Sequence, residues 1–417
     1  MKSKIISLII SVLVCTYSIT AQGEAAISVL SLTQSPQSFG MGQVGVSFTK
    51  DDPAAFYLNP AILGYQAWEN NFSSTIYTQK ADWLSGLGVT YNVFSFNLGY
   101  NLKNTFDYLP LAIGFGYSTA EMDYGTFVQT DPFSPTPIGT FNSYDKYSTY
   151  SLGLGLDYYV RLSLGVSIKN IESKLGGQVL TADSTLKEVK AEISAMDYGF
   201  LMEVPISSLL LENVNWKIDE RNFVSPKSNF AFGFSVNNIG DEIYYIDPNQ
   251  SDPLPRTSRL GYNFNFGIDL THNNSKINLI DYTFFAEAED ILIKRNLNEV
   301  EYESFMSDLD FGKNLINLEG DQNIILHKAH MIELFEMIKL TSGSYSGRGF
   351  GYIPKSSGFA ISSKGVFKIL NILINNTIVK FINEHIVLEY VKSTNSKGNQ
   401  FESDFSSFNI YVKNFYF

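Results

Sequence analysis

Residues 151–159, "SLGLGLDYY", place Leu152, Leu154, Leu156 and Tyr158 on one side of an extended chain and Ser151, Gly153, Gly155 and Asp157 on the other. Successive side chains of a strand point to opposite faces, so a period of two predicts a β-strand between two different environments. The same alternation returns at 94–102 ("FSFNLGYNL"), 161–169 ("RLSLGVSIK"), 229–238 ("NFAFGFSVNN") and 260–269 ("LGYNFNFGID"). A soluble sandwich carries many Lys and Glu on its outer face. Here the face opposite the apolar one holds mainly Gly, Ser and Asn. Small polar residues suit the hydrated interior of a membrane barrel whose apolar face meets lipid. A large exported soluble β-protein is the alternative.

The N-terminus supports export. Lys2 and Lys4 precede an apolar run at 5–14, and small and polar residues follow as far as Ala21. This pattern predicts a secretory signal peptide at 1–21. The single cysteine, Cys15, falls within it, so the mature chain offers no disulfide or thiolate metal site. A net charge of −12 argues against a nucleic-acid partner. No later segment reaches 18 consecutive apolar residues, which argues against a transmembrane helix. No linker divides the chain. About 14 alternating segments follow Phe72, which predicts an all-β transmembrane antiparallel barrel over 71–417.

The ending, residues 408–417 ("FNIYVKNFYF"), places an aromatic last residue on a terminal strand. Phe417 resembles the signal by which Gram-negative outer-membrane proteins reach the barrel-assembly machinery. Lys413 interrupts the aromatic parity of Phe417, Phe415 and Tyr411, and a bulge near Lys413 would reconcile the two faces.

Gly40, Gly42 and Gly45 have the G-x-G-x-x-G spacing of a dinucleotide loop. No strand enters the motif, Pro53 and Pro60 break any helix leaving it, and Asp51 and Asp52 lie too close for a ribose-binding acid. The glycines therefore read as places of tight turning or close packing. Downstream, Pro60 forces Asn59 into an extended conformation, and the Asn59 amide can bond a turn without regular partners.

Gly40-Met41-Gly42, Val44-Gly45-Val46, Asp51-Asp52-Pro53-Ala54-Ala55, Tyr57 and Asn59-Pro60-Ala61 together resemble the N-terminal signature of the PorV/PorQ family. That family belongs to the FadL-like outer-membrane barrels. The resemblance continues at 163–171, at Asn238 and Gly240 in "VNNIG", and at Leu254, Pro255, Arg259, Leu260 and Gly261 in "DPLPRTSRLG". It implies a 14-stranded barrel in the bacterial outer membrane, with residues 22–70 forming a hatch at its periplasmic end. For function it implies type IX protein secretion, as a PorV-like substrate shuttle or an attachment-complex subunit. The partners would be the translocon, cargo sorting domains and attachment proteins. The alternative is a FadL-like channel for long-chain fatty acids or other hydrophobic small molecules.

Tight connections such as that around Tyr159 are expected to face the periplasm, and longer polar ones the outside. Three long stretches are 120–143, 204–228 and 287–326. The last holds ten acidic residues between Glu287 and Asp321 against Lys294, Arg295 and Lys313, and reads as a solvated loop or short surface helix. Asp308 and Asp310 lack the remaining ligands of a calcium loop. His327 and His330 would point to opposite sides of a strand, which argues against a shared metal. Residues 342–349 ("SGSYSGRG") lack the nucleophile-elbow pattern. No catalytic, metal or cofactor residue is nominated, and the chain reads as a non-enzyme.

Overall fold

The computed structural model describes residues 25–415 apart from 81–88, 107–108, 132–133, 181–184, 212–213, 273–274, 297–298, 349–352, 375 and 399–401. The proposed signal peptide, Cys15 and Phe417 lie outside the described residues.

Fourteen antiparallel strands form the wall: β1 Asn70–Lys80, β2 Thr90–Asn101, β3 Leu111–Thr130, β4 Pro137–Asp157, β5 Arg161–Leu180, β6 Leu186–Val204, β7 Asn222–Gly240, β8 Thr257–His272, β9 Ser275–Ile291, β10 Ile324–Leu334, β11 Ile338–Gly347, β12 Lys355–Ser362, β13 Ile386–Asn395 and β14 Ser403–Lys413. Each pairs with its neighbour in sequence. The ring closes where Ile76 of β1 faces Phe408 of β14. Closure leaves no open edge, so the wall's backbone groups are paired within the barrel, as a lipid-immersed sheet requires. No helix among the described residues is long and apolar enough to cross a membrane.

An even number of strands brings Asn70 and Lys413 to the same end, here termed the near rim. The lipid-facing band starts there. On β3 the outward residues Leu111, Ile113 and Phe115 are exposed and apolar, whereas Glu121 and Asp123 follow farther along the same face. On β5 Leu164, Val166 and Ile168 give way to Asn170, Glu172 and Lys174. Leu154 pairs with Ile113 on one side and Leu164 on the other, so the band is continuous across strands. Its exterior is that of an outer-membrane barrel. Beyond the band β3–β6 continue as water-facing hairpins for about ten residues, roughly 30 Å at the usual rise per residue.

Three sequence expectations change. Residues 120–143 are mostly strand: β3 runs on to Thr130 and β4 starts at Pro137, with Pro135 in the turn between them. The alternation fades there because the outer face has left lipid for water. Longer connections also occur at the near rim, where α3 Ile206–Leu210 follows β6 and the helix pair α4 Ser363–Leu373 and α5 Thr377–His385 joins β12 to β13. Two further short helices, α1 Pro36–Gly40 and α2 Ile62–Gln66, belong to the N-terminal segment. Finally, Lys413 keeps strand parity with Tyr411, both turned inward and buried. The irregularity falls on the partner strand between Asn70 and Phe72, and Asn414 takes a positive φ of 56°.

Leu154→Arg, in the middle of the band, should lower barrel stability by about 2–4 kcal/mol, whereas Thr140→Arg on the same face of β4 beyond it should change it by less than about 0.5 kcal/mol. Urea titration in lipid vesicles measures both, and equal effects would refute the position of the band.

Candidate functional site: the N-terminal segment inside the barrel

Residues 25–69 lie inside the wall, about three-quarters of them buried. This segment has little regular structure, so its backbone polar groups need partners from the surrounding strands. The glycine-rich turn at 40–45 is held by one charged cluster. The Glu287 carboxylate of β9 accepts the backbone N–H groups of Gly45 and Val46 at 2.8 and 2.9 Å. Arg259 of β8 donates to the Gln43 carbonyl at 3.0 Å, to Glu287 at 2.8 Å and to Glu289 at 2.6 Å. His327 of β10 places one ring nitrogen 2.7 Å from the Gly42 carbonyl and the other 3.0 Å from Glu289. Both ring nitrogens thus face oxygen atoms.

Glu287, Glu289 and Asp290 therefore do not belong to a solvated loop. They are buried on β9. Net acidity alone does not separate the strand end at 287–291 from the loop after it. The inward parity of Glu287 and Glu289 was the available signal. His330 is exposed, on the opposite face from His327.

Steric constraint explains the glycines. Gly42 has a φ of +63°, and a Cβ there would lie 2.6 Å from the Ser344 amide nitrogen. At Gly45 it would lie 2.3 Å from Leu58, and at Gly40 2.9 Å from Thr341. The wall reciprocates: a Cβ on Gly343 would lie 2.1 Å from the Met41 carbonyl carbon. Asn59 donates to Val46 and Phe200 carbonyls at 2.6 and 3.0 Å, and its own oxygen accepts the Ala61 N–H at 3.0 Å. Pro60 and Ala61 rest against Gly165, where a Cβ would come within 2.2 Å of Pro60.

The downstream residues form a second hold. Asn238, with a φ of 60°, donates its backbone N–H to Asp197 at 2.8 Å and its amide to the Pro255 carbonyl at 2.9 Å. Lys169, fully buried, bonds Asn238 at 2.7 Å and Asp197 at 3.0 Å, and lies 4.3 Å from the Tyr57 ring centre. Leu254 is fully buried and packs near Gly240, while Gly261 approaches Val46. The two distant sequence motifs thus meet on the same internal segment.

The lumen is divided in two. At the near rim a cavity of about 570 Å³ is lined by charged groups, among them Lys50, Asp51, Arg161, Glu203, Glu333 and Lys339. Most are paired: Lys50 with Asp281 at 3.0 Å, Lys413 with Asp51 at 2.6 Å, and Lys339 with Glu389 at 2.6 Å. Burial would raise the Asp51 carboxyl, but Lys413 and Lys364 hold it well below the usual carboxylate range. Farther up, an apolar and aromatic compartment is formed by Tyr77, Tyr91, Val93, Met122, Tyr147 and Ile171. Ile27, Val29 and Leu30 of the N-terminal segment fill it. Tyr57, Tyr77 and Tyr91 donate to the backbone carbonyls of Leu30, Gln34 and Thr33 at 2.5, 3.1 and 3.4 Å. Strand parity turns Tyr77 and Tyr91 inward, and what they grip is set by the fold of the N-terminal segment.

The sequence matches no protein-family model and no curated protein. Among solved structures, the Ralstonia pickettii toluene transporter TbuX is 10% identical, with 92% of this chain and 98% of that one covered at a TM-score of 0.36. The Pseudomonas putida toluene transporter TodX is also 10% identical, covering 91% and 97% at 0.36. A Pseudomonas aeruginosa FadL homologue is 10% identical, covering 91% and 96% at 0.35.

Gly343→Val should push the 40–43 turn off the wall without opening the barrel. Protease cleavage after Lys50 is expected in this variant and not in the parent, with heat-modifiable gel migration retained; a parent-like digestion pattern would refute the close-packing role.

Asp52 lies in the N-terminal segment, on no membrane-crossing strand. Burial pushes its carboxyl up to about 6, against the donors Ser35 and Ala54. The folded state therefore binds this proton more tightly than the unfolded chain. The Asp52 contribution is favourable below the ordinary carboxylate value and is lost as pH rises through about 6. Asp52→Asn should raise stability at pH 7 by on the order of 2–3 kcal/mol and reduce the difference between pH 5 and pH 7. Urea midpoints at the two pH values check this.

Proposed function

We propose that the chain is an outer-membrane channel for small hydrophobic molecules, with the near rim facing the periplasm and the N-terminal segment as its gate. The observation that carries this reading is the aromatic compartment in the upper lumen, occupied by apolar residues of the N-terminal segment. Withdrawal of Ile27, Val29 and Leu30 exposes a pocket of the composition that apolar ligands select, with tyrosine hydroxyls freed to orient a polar head.

A second reading, a component of type IX secretion, rests on the PorV/PorQ-like motifs. The charged near-rim cavity favours it, because a hydrophobic solute leaving the compartment meets ion pairs there rather than a continuous apolar path. The water-facing hairpins of β3–β6 offer that role a protein-sized surface. Sequence alone put this reading first. The filled apolar compartment reverses the order.

Met122→Trp, which fills the compartment from β3, should reduce uptake of a labelled long-chain fatty acid at least tenfold in cells while assembly of the barrel stays unchanged. Gene deletion, with uptake and retention of surface proteins bearing type IX sorting domains measured together, separates the readings. Normal uptake with lost surface cargo would overturn the channel in favour of secretion.

A further inference from the structure

The helix pair α4–α5 hangs from the near rim between the wall strands β12 and β13. In α4, Lys364 and Lys368 reach Glu336 of the β10–β11 turn at 3.8 and 2.6 Å, and Gly365 packs against the Phe335 carbonyl. At about 100° per residue, Val366 and Leu373 fall on the side away from these contacts. They are 42% and 73% exposed. In α5, Ile378, 69% exposed, lies about 160° around the helix from Lys380, and Phe381, 46% exposed, lies between Ile378 and Glu384. Ile374 between the helices is also exposed. Asn376 caps α5 by accepting the Ile378 N–H at 2.8 Å.

This apolar surface continues one already assigned to lipid. Ile361, two residues before α4, and Leu388, three residues after α5, are outward residues of the band, 55% and 52% exposed. The Ser363 hydroxyl at the start of α4 accepts the Leu388 N–H at 2.9 Å, which places the first turn of the helix level with the band. At its end, α5 is tied to the last strand: His385 lies 4.4 Å and Phe381 6.2 Å, centre to centre, from the Phe415 ring, and Asn414 donates to the Glu384 carbonyl at 3.1 Å.

We infer that α4–α5 is an interfacial anchor: its apolar sides, Val366, Leu373, Ile374, Ile378 and Phe381, lie in the headgroup–acyl boundary of the leaflet at the near rim. Short amphipathic helices with lysines on the polar side take that position in a bilayer. Lysine stems bridge the boundary while their ammonium groups stay in water or on Glu336. The anchor holds the rim at a set depth next to the charged cavity, whose lining includes Lys364 and Ser362 at the root of α4.

The absence of cysteine after Cys15 makes the test direct. In a Cys15→Ser background, Leu373→Cys, Ile378→Cys, Lys380→Cys and Thr140→Cys are each labelled with a polarity-sensitive fluorophore. The full chain is then reconstituted in vesicles of phosphatidylethanolamine and phosphatidylglycerol, and only barrels with heat-modifiable migration are measured. A nitroxide placed high on the acyl chain should quench labels at 373 and 378 at least twofold more than those at 380 and 140, with aqueous iodide giving the reverse order. Iodide quenching at 373 and 378 as strong as at 140 would overturn the inference, because the surface then lies in water. Protection of both labels from both quenchers would also overturn it, in favour of a second copy of the chain covering the helices.

Discussion

An irregular chain buried inside a barrel cannot leave its amides and carbonyls without partners, and the rest of this structure follows from that need. The wall meets it with polar side chains positioned by strand parity. Glu287 receives two successive N–H groups, Arg259 and His327 cap the two carbonyls before them, and Asn263 and Asn237 reach the Ser47 and Leu58 carbonyls. Ser95 and Asn97 of β2 both donate to the Pro53 carbonyl, at 2.7 and 3.1 Å. Where the segment touches the wall backbone directly, the wall carries glycine, as at Gly165 and Gly343, since any Cβ would occupy the space of the segment itself.

That constraint gives a physical meaning to the inner-face composition. Gly, Ser and Asn on alternate positions signal a hydrated lumen in a general barrel. Here they mark the imprint of a particular internal chain. The parity of 151–159 and 161–169 was therefore legible in sequence, as was the strand number, because one face must meet lipid and the other must not. The partner of each inward residue was not legible. Arg259 and Glu287 are separated from the 40–45 turn by more than 200 positions, and no local period reports such a contact. The distal halves of β3 and β4 escaped for a different reason: both their faces meet water or polar neighbours, so the contrast that identifies a strand is lost. Helices α4 and α5 are too short for a sustained helical period to stand out among alternating strands.

The motifs at 40–45, 59–61, 238–240 and 254–261 were legible as a set through resemblance, and the fold adds what joins them. Asn238 and Pro255 come from two sides of one connection and are bonded to each other, while Lys169 and Asp197 link that pair to Tyr57. Arg259, four residues after Pro255, starts the cluster on the glycine-rich turn. The conformational demand at Asn238, whose φ is 60°, falls on a residue type that tolerates the left-handed region better than most. Gly45 is likewise decided by Leu58 beneath it rather than by any phosphate-like ligand.

The two holds on the N-terminal segment differ in kind, and the difference decides where movement is cheap. At 42–46 the segment is bound by a buried cluster of Arg259, Glu287, Glu289 and His327. Removing one member of a buried, hydrogen-bonded ion pair costs about 3–5 kcal/mol, because the partner charge stays behind without solvent. At 30–34 the contacts are neutral hydrogen bonds from Tyr57, Tyr77 and Tyr91, of about 1 kcal/mol each, plus the burial of Ile27, Val29 and Leu30. An apolar ligand entering the compartment replaces that burial with its own, so most of the cost of withdrawing residues 27–34 is returned. No ligand of that kind compensates the charged cluster. Under the proposed gating, movement is thus cheapest in the stretch before Ser35, with the turn at 42–46 as its fixed end.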